Sequence, residues 1–201
     1  MIQPLQEKFA VREINLAELR PFPGHPFGVR DDAAMAELTE SVRTYGILLP
    51  ALARPLEDGG YELVSGHRRK RACELSGCST MPVIVRNLDR DAAIIILVDS
   101  NIQRENILPS EKAKAYKMKL EAIKRQGARR DLTSRQLVGK LEAADKVGET
   151  TGESGRQIQR YIRLTELQPE LQRMVDDGKI GMTPAVELSY LKPTEQKRLL
   201  D

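Results

Sequence analysis

Hydrophobic and polar positions follow two different rhythms along the chain, and the change falls near residue 105. Ahead of it, short β-like runs are interleaved with helical stretches. Beyond it, almost every segment carries the three- and four-residue spacing of a helix. Val11 to Leu16 predicts a first strand, followed by a Pro- and Gly-rich connection from Pro21 to Gly28. Met35, Leu38, Val42 and Tyr45 recur at helical spacing, which predicts an amphipathic helix over Asp31 to Tyr45 with Gly46 as its C-terminal stop. Ala51 to Pro55 and Tyr61 to Val64 read as strands joined by the Glu57-Asp58-Gly59-Gly60 turn. A helix is expected from near Gly66 to Gly77, a strand over Met81 to Arg86 and a helix over Asp89 to Asp99.

From Ser110 a long helix is expected, with Ala113, Tyr116, Leu120 and Ile123 as its buried stripe and Gly127 closing it. Thr133 with Gln136, and Ser154 with Gln157, have the form of capping boxes. Thr183-Pro184 reads as a cap followed by Pro at the first helical position. Pro169 to Asp177 and Thr183 to Leu191 are the last predicted helices, and Lys140 to Lys146 reads as an insertion that displaces the helix before the segment Val147 to Leu164. These elements predict an α+β domain with a small mixed sheet over residues 1–107 and an all-α domain over 108–201, with Gly127 to Asp131 as a hinge.

Composition narrows the function classes. The 201 residues hold 32 Lys and Arg against 29 Asp and Glu, a net charge of +3 that does not by itself require nucleic acid. An apolar share of 40% supports a core, whereas 4% aromatics without Trp argue against a stacking platform for single strands. The longest apolar run, Ala92 to Val98, falls far short of the ~20 residues that span a membrane, and the N-terminus lacks a signal peptide's apolar core. Cys73 and Cys78 match no Cys-x-x-Cys pattern. Five residues apart on one helix they point in different directions, which reads as two small buried residues in a reducing compartment. With only His25 and His67 beside them, a structural zinc site is not expected.

The most informative segment is Val64-Ser65-Gly66-His67-Arg68-Arg69-Lys70-Arg71-Ala72. An apolar strand ends, Gly66 permits close backbone approach, and a helix opens with four cations. A helix N-terminus already carries unpaired N–H groups and a partial positive charge, so cations there oppose the helix unless an anion is to be held. On a helical wheel Arg68, Ala72 and Leu75 share a side with Arg71 adjacent, which turns the two guanidinium forks toward the domain body. Arg forks suit phosphate oxygens, and pairing with carboxylates inside the fold is the plainer alternative. A second polar cluster, Asp99-Ser100-Asn101-Ile102-Gln103-Arg104-Glu105-Asn106, either ends the preceding helix or completes an anion site through Asn101, Gln103 and Arg104.

Taken in order, Tyr45-Gly46-Ile47-Leu48-Leu49-Pro50, Tyr61 through Ala72, Met81-Pro82-Val83-Ile84-Val85-Arg86, Asn101-Ile102-Gln103-Arg104-Glu105 and Pro109-Ser110-Glu111-Lys112-Ala113 resemble the ParB/RepB partition-protein family, from roughly Ile14 to Leu191. The resemblance implies a ParB/sulfiredoxin-like N-terminal fold, a helix-turn-helix domain and a role in segregating plasmid, mobile-element or chromosomal DNA. It implies that Gly66, Arg68, Arg69 and Arg71, with His67 in the same turn, hold the triphosphate of CTP, and that nucleotide closes a dimeric clamp on DNA. Asn101, Gln103 and Arg104 match the second motif, with Asn101 near Mg²⁺ bound through the nucleotide. It further implies a homodimer, a ParA-type ATPase partner, no membrane association, and a cytoplasmic place on nucleoid or plasmid. A C-terminal dimerisation domain often follows in such proteins; a shortened chain and dimerisation through the parts present are both open readings.

Three positions depart from the family pattern. His67 and Ser100 stand where Glu is usual, and Leu49 stands where Gln is usual. Without the second Glu a hard oxygen ligand is missing, so nucleotide binding with at most weak CTPase turnover is expected, and no catalytic residue is assigned. Ser65-Gly66-His67-Arg68 is also similar to the sulfiredoxin Gly-Cys-His-Arg motif. Gly66 occupies the cysteine position there, which excludes that redox chemistry.

Val147 to Leu164 has the form of a helix-turn-helix, about residues 141–165, with Gly152 at the turn and Ser154 as cap. Arg156, Arg160 and Arg163 share a face with Gln159 beside them, while Ile158 and Ile162 occupy the opposite arc. Arg156, Gln157, Gln159 and Arg160 are the expected base-edge readers of double-stranded DNA, Ser154 is the cap at its entry, and Arg163 is the expected phosphate contact. Lys124, Arg125, Arg129, Arg130 and Arg135 form a looser basic neighbourhood. Two other function classes compete. One is a nuclease or small-molecule kinase on the same fold, against which Asp89, Asp91 and Asp99 follow no metal spacing. The other is a DNA-binding transcriptional regulator without nucleotide.

Overall fold

Five short strands build one mixed sheet in the computed structural model, which describes residues 10–104, 106–130 and 140–200. The strands are β1 Val11–Asn15, β2 Leu19–Pro21, β3 Ala51–Pro55, β4 Tyr61–Ser65 and β5 Thr80–Val85, in the spatial order β1-β5-β3-β4-β2. β1 pairs antiparallel with β5, and β3 antiparallel with β4; β5 with β3 and β4 with β2 run parallel. The β3–β4 hairpin carries a cross-strand ion pair: Arg54 stands opposite Glu62, and its Nε donates to Glu62 Oε2 at 2.6 Å with both side chains largely buried. The β2 edge is absent from the sequence expectation.

Two helices of this first unit pack on one another and close its core. α1, Ala33–Tyr45, opens with Asp32 accepting from the Met35 N–H at 2.9 Å and stops at Gly46. α2, His67–Ser76, follows β4 directly. Ile14, Leu19, Met35, Val42, Leu63, Ala72, Met81 and Val83 form a single buried cluster with the small Ala51 and Ala53 of β3. Burial of one such leucine or methionine contributes roughly 1.5–3 kcal/mol, so this cluster dominates the unit. α3, Arg90–Asp99, begins after Asp89, whose carboxylate accepts from the Ala92 N–H at 2.7 Å. The chain divides into two compact units between Leu97 and Val98, inside α3.

The second unit is helical: α4 Pro109–Arg130, α5 Lys140–Thr151, α6 Gly155–Arg163, α7 Pro169–Asp176, α8 Met182–Leu188 and α9 Pro193–Arg198. Ala113 of α4 joins Leu164, Leu167, Leu171, Val175, Ala185 and Val186 in its core. The start of α4 is fixed by Asp176, which accepts from Ser110 N–H at 2.9 Å and Ser110 O–H at 2.6 Å. Lys119, on the buried side of α4, bonds Asp99 and the Thr150 hydroxyl. Only 2% of the Lys119 side chain is exposed against 33% for Asp99.

Several expectations need correction here. α4 runs through Gly127 to Arg130 instead of stopping, because a single interior glycine costs only about 1 kcal/mol relative to Ala. Lys140 to Lys146, expected to displace the preceding helix, forms the opening turns of α5, the first helix of the helix-turn-helix. The N-cap of α8 is Gly181, so Thr183 and Pro184 lie inside the first turn, where a missing N–H is tolerated. Cys73 and Cys78 do not point apart: Gly77 turns the chain back, Cys73 is buried and Cys78 exposed. Thr133 with Gln136 lies outside the described residues.

Gly127 and Gly148 make opposite predictions. A Cβ on Gly127 would meet nothing within 4 Å, whereas one on Gly148 would stand 2.2 Å from the Glu153 carbonyl oxygen. Gly127→Ala is expected to stabilise the chain by roughly 0.5–1 kcal/mol. Gly148→Ala is expected to destabilise it by roughly 1–3 kcal/mol, and urea unfolding of both variants reads the two signs.

Candidate functional site

α2 begins with no side chain capping it. Gly66, its N-cap, sits in the left-handed region at φ 107°, and no side-chain hydrogen bond reaches the first-turn N–H groups from that residue. A Cβ at Gly66 would lie 2.8 Å from the Ala51 Cβ, so position 66 admits only glycine on grounds of both conformation and space. The small residue on β3 and the glycine on α2 thus bring the helix N-terminus down onto the central strand of the sheet. The result is a row of backbone donors with a positive dipole end and four cations in the following two turns.

Each cation has a defined neighbour. Arg68 lies 3.6 Å from the Asp32 carboxylate, and Arg71 donates from Nε and Nη2 to Asp31 at 3.0 and 2.5 Å, with Glu74 at 3.4 Å. Both arginines therefore cross to the N-terminal end of α1. They are 28% and 39% exposed, so they do not turn fully toward the domain body as the wheel predicts. Arg69 is the more enclosed member. Its Nη1 donates to the Leu49 carbonyl and, at 2.8 Å, to that of Pro50, which ties the 49–50 loop to α2. Burial draws its guanidinium below the ordinary range, though an arginine stays charged throughout. Lys70 pairs with Glu74 at 2.6 Å. The Asp31 carboxyl is held below its usual range by the Arg71 hydrogen bond, and Arg71 is raised in return.

His67 faces the 22–27 loop. The Phe22 N–H approaches its Nε2 at 3.5 Å, the His25 ring lies 3.9 Å away centre to centre, and the His25 Nδ1 donates to the Phe27 carbonyl at 2.7 Å. Burial first, then the nearby charges of His25 and Lys70, push His67 down to about 3 from 6.5. The unfolded chain therefore takes up a proton near pH 6.5 that the folded chain refuses until about pH 3. The His67 contribution to stability therefore rises with pH across that window and is constant above it. Acidification from pH 6.5 to 5 is expected to cost roughly 2 kcal/mol, and His67→Gln is expected to flatten the profile, as read from thermal midpoints against pH.

The second motif belongs to the second unit. Asn101 Oδ1 accepts from Arg104 at 3.1 Å, Asn101 Nδ2 donates to the Ser100 hydroxyl at 3.2 Å, and Gln103 Nε2 reaches the Thr150 carbonyl at 3.4 Å. Asp99 is engaged by Lys119 and lies 3.2 Å from the Thr150 hydroxyl, which removes the carboxylate on which a nuclease reading would lean. Among the described residues no group of three or more His, Cys, Asp or Glu is placed to hold a metal. An open depression of about 880 Å³ lies at the opposite end of β4 from Gly66. Its lining of Glu57, Asp58 and Asp89 with Arg54 tied to Glu62 does not suit a polyphosphate.

α5, the turn at Gly152 and α6 form the helix-turn-helix. Ser154 caps α6 by accepting from the Gln157 N–H at 3.2 Å, and Ile158 is fully buried opposite the polar face. Gly155 backs onto Asp145 of α5, where a Cβ would stand 2.2 Å from the carboxylate. The arginines do not act alike. Arg156 is exposed. Arg160 donates to Thr183 at 2.8 Å and approaches Gln157 Oε1 at 3.4 Å. Arg163 donates to the Ser189 hydroxyl and carbonyl at 3.1 and 2.6 Å and stacks over Tyr190 at 4.0 Å, so it fastens α6 to the end of α8. Gln159 lies partly exposed on the same helix. In the basic neighbourhood, Arg125 lies 3.9 Å from Glu121, and the side chains of Arg129, Arg130 and Arg135 lie outside the described residues. Lys119 is the residue that sequence reasoning missed; its place between buried Tyr116, Leu120 and Ala122 was the available signal.

A mixed sheet with an arginine-opened helix, followed by a helix-turn-helix, is the two-part plan of one protein class. The sequence model of the ParB N-terminal domain matches residues 3–102, and that of the ParB HTH domain matches residues 105–201. The chain belongs to the ParB family. It is 38% identical over 182 residues to stage 0 sporulation protein J of Bacillus subtilis (strain 168), covering 90% of this chain and 58% of that protein. It is 33% identical over 187 residues to the chromosome-partitioning protein Spo0J of Thermus thermophilus, covering 92% and 62%. The chain thus spans about three fifths of the length of these curated relatives. The solved structure of C-terminally truncated chromosome-partitioning protein ParB from Caulobacter crescentus, complexed to the centromeric parS site, matches with a TM-score of 0.57 and 26% identity. The match covers 94% of this chain and 97% of that one. No helix among the described residues is long and apolar enough to cross a membrane.

Proposed function

We propose that this chain is the nucleotide- and DNA-binding part of a partition protein: CTP binds at the start of α2, duplex DNA is read by α6, and nucleotide controls closure of a homodimer around the DNA. The uncapped α2 N-terminus with its four cations is the observation that carries the reading. Cations gathered at a positive helix end are unfavourable unless an anion is held there; Asp31, Asp32 and Glu74 answer Arg71, Arg68 and Lys70, whereas Arg69 meets only backbone carbonyls. The parS complex of the Caulobacter relative supports DNA reading by the second unit. The share of Asn101, Gln103 and Arg104 in the nucleotide follows from the family motif alone. Mg²⁺ would be carried chiefly by the phosphates, with the Asn101 amide oxygen as the protein's contribution. That oxygen faces Arg104, and Ser100 offers only a hydroxyl, so turnover is at most slow. A ParA-type ATPase partner and residence on nucleoid or plasmid DNA complete the proposal.

The test is a titration with CTP, ATP, GTP and UTP in Mg²⁺, with and without a pool of duplex DNA, read by calorimetry and thermal shift. CTP is expected to raise the unfolding midpoint selectively. If no nucleotide binds while DNA binding is intact, the chain is a nucleotide-independent regulator. If purified protein nicks supercoiled DNA and Asp99→Asn abolishes it, the nuclease reading replaces ours.

A further inference from the structure

The only two cysteines of the 201-residue chain occupy one helix terminus. α2 ends with Gly77 in the left-handed region, with Gly77 N–H donating to the Glu74 carbonyl at 3.3 Å and Cys78 N–H to the Cys73 carbonyl at 3.0 Å. In this helix ending the residue after the glycine folds back against the residue five positions earlier, and an apolar contact between the two is all the geometry requires. Here both positions are thiols. The Cys78 N–H bond to the Cys73 carbonyl brings the two residues together across the turn, and the Ser76 hydroxyl lies 3.3 Å from the Cys78 sulfur. Ser76 also donates to the Cys73 carbonyl at 3.0 Å, which holds the terminal turn closed around the pair.

We propose that Cys73 and Cys78 are a modification site, a reversible disulfide clasp closed by hydroperoxides and opened by dithiol reductants. The two thiols have different roles. Cys73 is buried, and that burial, with Cys78 beside it, pushes its thiol up to about 11. Cys78 is exposed and is the sulfur that meets the oxidant. The Cys78 thiolate attacks one peroxide oxygen; an S–O bond forms, the O–O bond breaks, and hydroxide leaves to take a proton. Cys73 sulfur then attacks the Cys78 sulfenic sulfur. The S–S bond forms, the S–O bond breaks, and the hydroxyl departs as water with the Cys73 proton. Two thiols and one hydrogen peroxide give one disulfide and two waters, each sulfur losing one electron. A dithiol returns both electrons by thiol–disulfide exchange. The clasp lies at the opposite end of α2 from Gly66 and stands independently of the nucleotide reading.

The experiment treats the purified chain with hydrogen peroxide, alkylates it under denaturing conditions and maps the peptides by mass. The expected result is loss of both alkylatable thiols in a monomer, a mass lower by two hydrogen atoms on the peptide pair holding Cys73 and Cys78, and full recovery with dithiothreitol. Cys73→Ser is expected to trap Cys78 as sulfenic acid, captured by a dimedone adduct. Cys78→Ser, a change at an exposed position, is expected to fold as the parent does by circular dichroism and to keep Cys73 unreacted. Oxidation of Cys78 to sulfinic acid, or disulfide formation between chains, with Cys73 still alkylatable in the parent protein, would overturn the proposal.

Discussion

Alanine at Arg68 and Arg69 together is expected to lower affinity for Mg²⁺-CTP by at least about 100-fold. A hydrogen bond to a charged group contributes about 1.5–3 kcal/mol, and about 1.4 kcal/mol is a factor of ten. Removing two guanidinium forks from around one triphosphate therefore amounts to two or more decades. Asp31→Asn should act in the opposite direction. Asp31 now holds Arg71 through two hydrogen bonds beside the place an anion would occupy. Its neutralisation releases that fork and removes a like charge. Because the pair is exposed to solvent its worth is small, and a gain of only about two- to fivefold in affinity is expected. Calorimetric titration of both variants decides the matter. Unchanged binding in the double arginine variant, or weaker binding in Asp31→Asn, would place the nucleotide elsewhere.

On the DNA side, Gln157→Ala and Arg156→Ala are each expected to cost about 1–3 kcal/mol of preference for a duplex selected from a random pool, roughly ten- to hundredfold. Their affinity for unrelated duplex should change far less, and the dependence on salt should weaken for any contact made to phosphate. Arg163→Ala is expected to behave differently. Arg163 is bound to Ser189 and stacked on Tyr190, so its removal should lower the unfolding midpoint of the second unit before it alters sequence preference. Fluorescence anisotropy at two salt concentrations, beside thermal unfolding, separates the two kinds of loss. If Arg163→Ala alone abolishes selectivity at full stability, α6 meets DNA by another face.

The parts of this fold that could be read from sequence are those whose signal is local. α1 carries its periodicity, its Asp cap and its Gly stop within one short stretch, and the β3–β4 hairpin announces itself through paired glycines. β2 was not legible because Leu19–Pro21 is three residues long, ends in proline and is extended only through parallel pairing with a strand about forty residues later. Gly127 misled because glycine is a stop signal at a helix end and merely a small cost inside a long helix. The wheel that separated Cys73 from Cys78 assumed a helix still running at position 78, whereas the turn at Gly77 reverses the chain. At the candidate site the residue types of Gly66 to Arg71 were legible and their partners were not. Nothing local shows that Arg71 meets Asp31 forty residues away, or that Arg69 reaches the carbonyls of Leu49 and Pro50. Lys119 stands on the apolar stripe of α4, which marks it as buried, but its partners Asp99 and Thr150 come from two other elements and leave no local trace.

The two sides of α6 differ in how much change they tolerate. Toward α5, Gly155 fits against Asp145 and Ile158 is sealed, so that side is fixed by shape. Toward solvent, Arg156 is exposed and Gln157 and Gln159 are partly so, which leaves room there for side chains of other sizes. If α6 reads duplex DNA as proposed, a lineage, or an engineer, can retarget it by exchanging a few outward side chains, while the joint that presents them stays invariant.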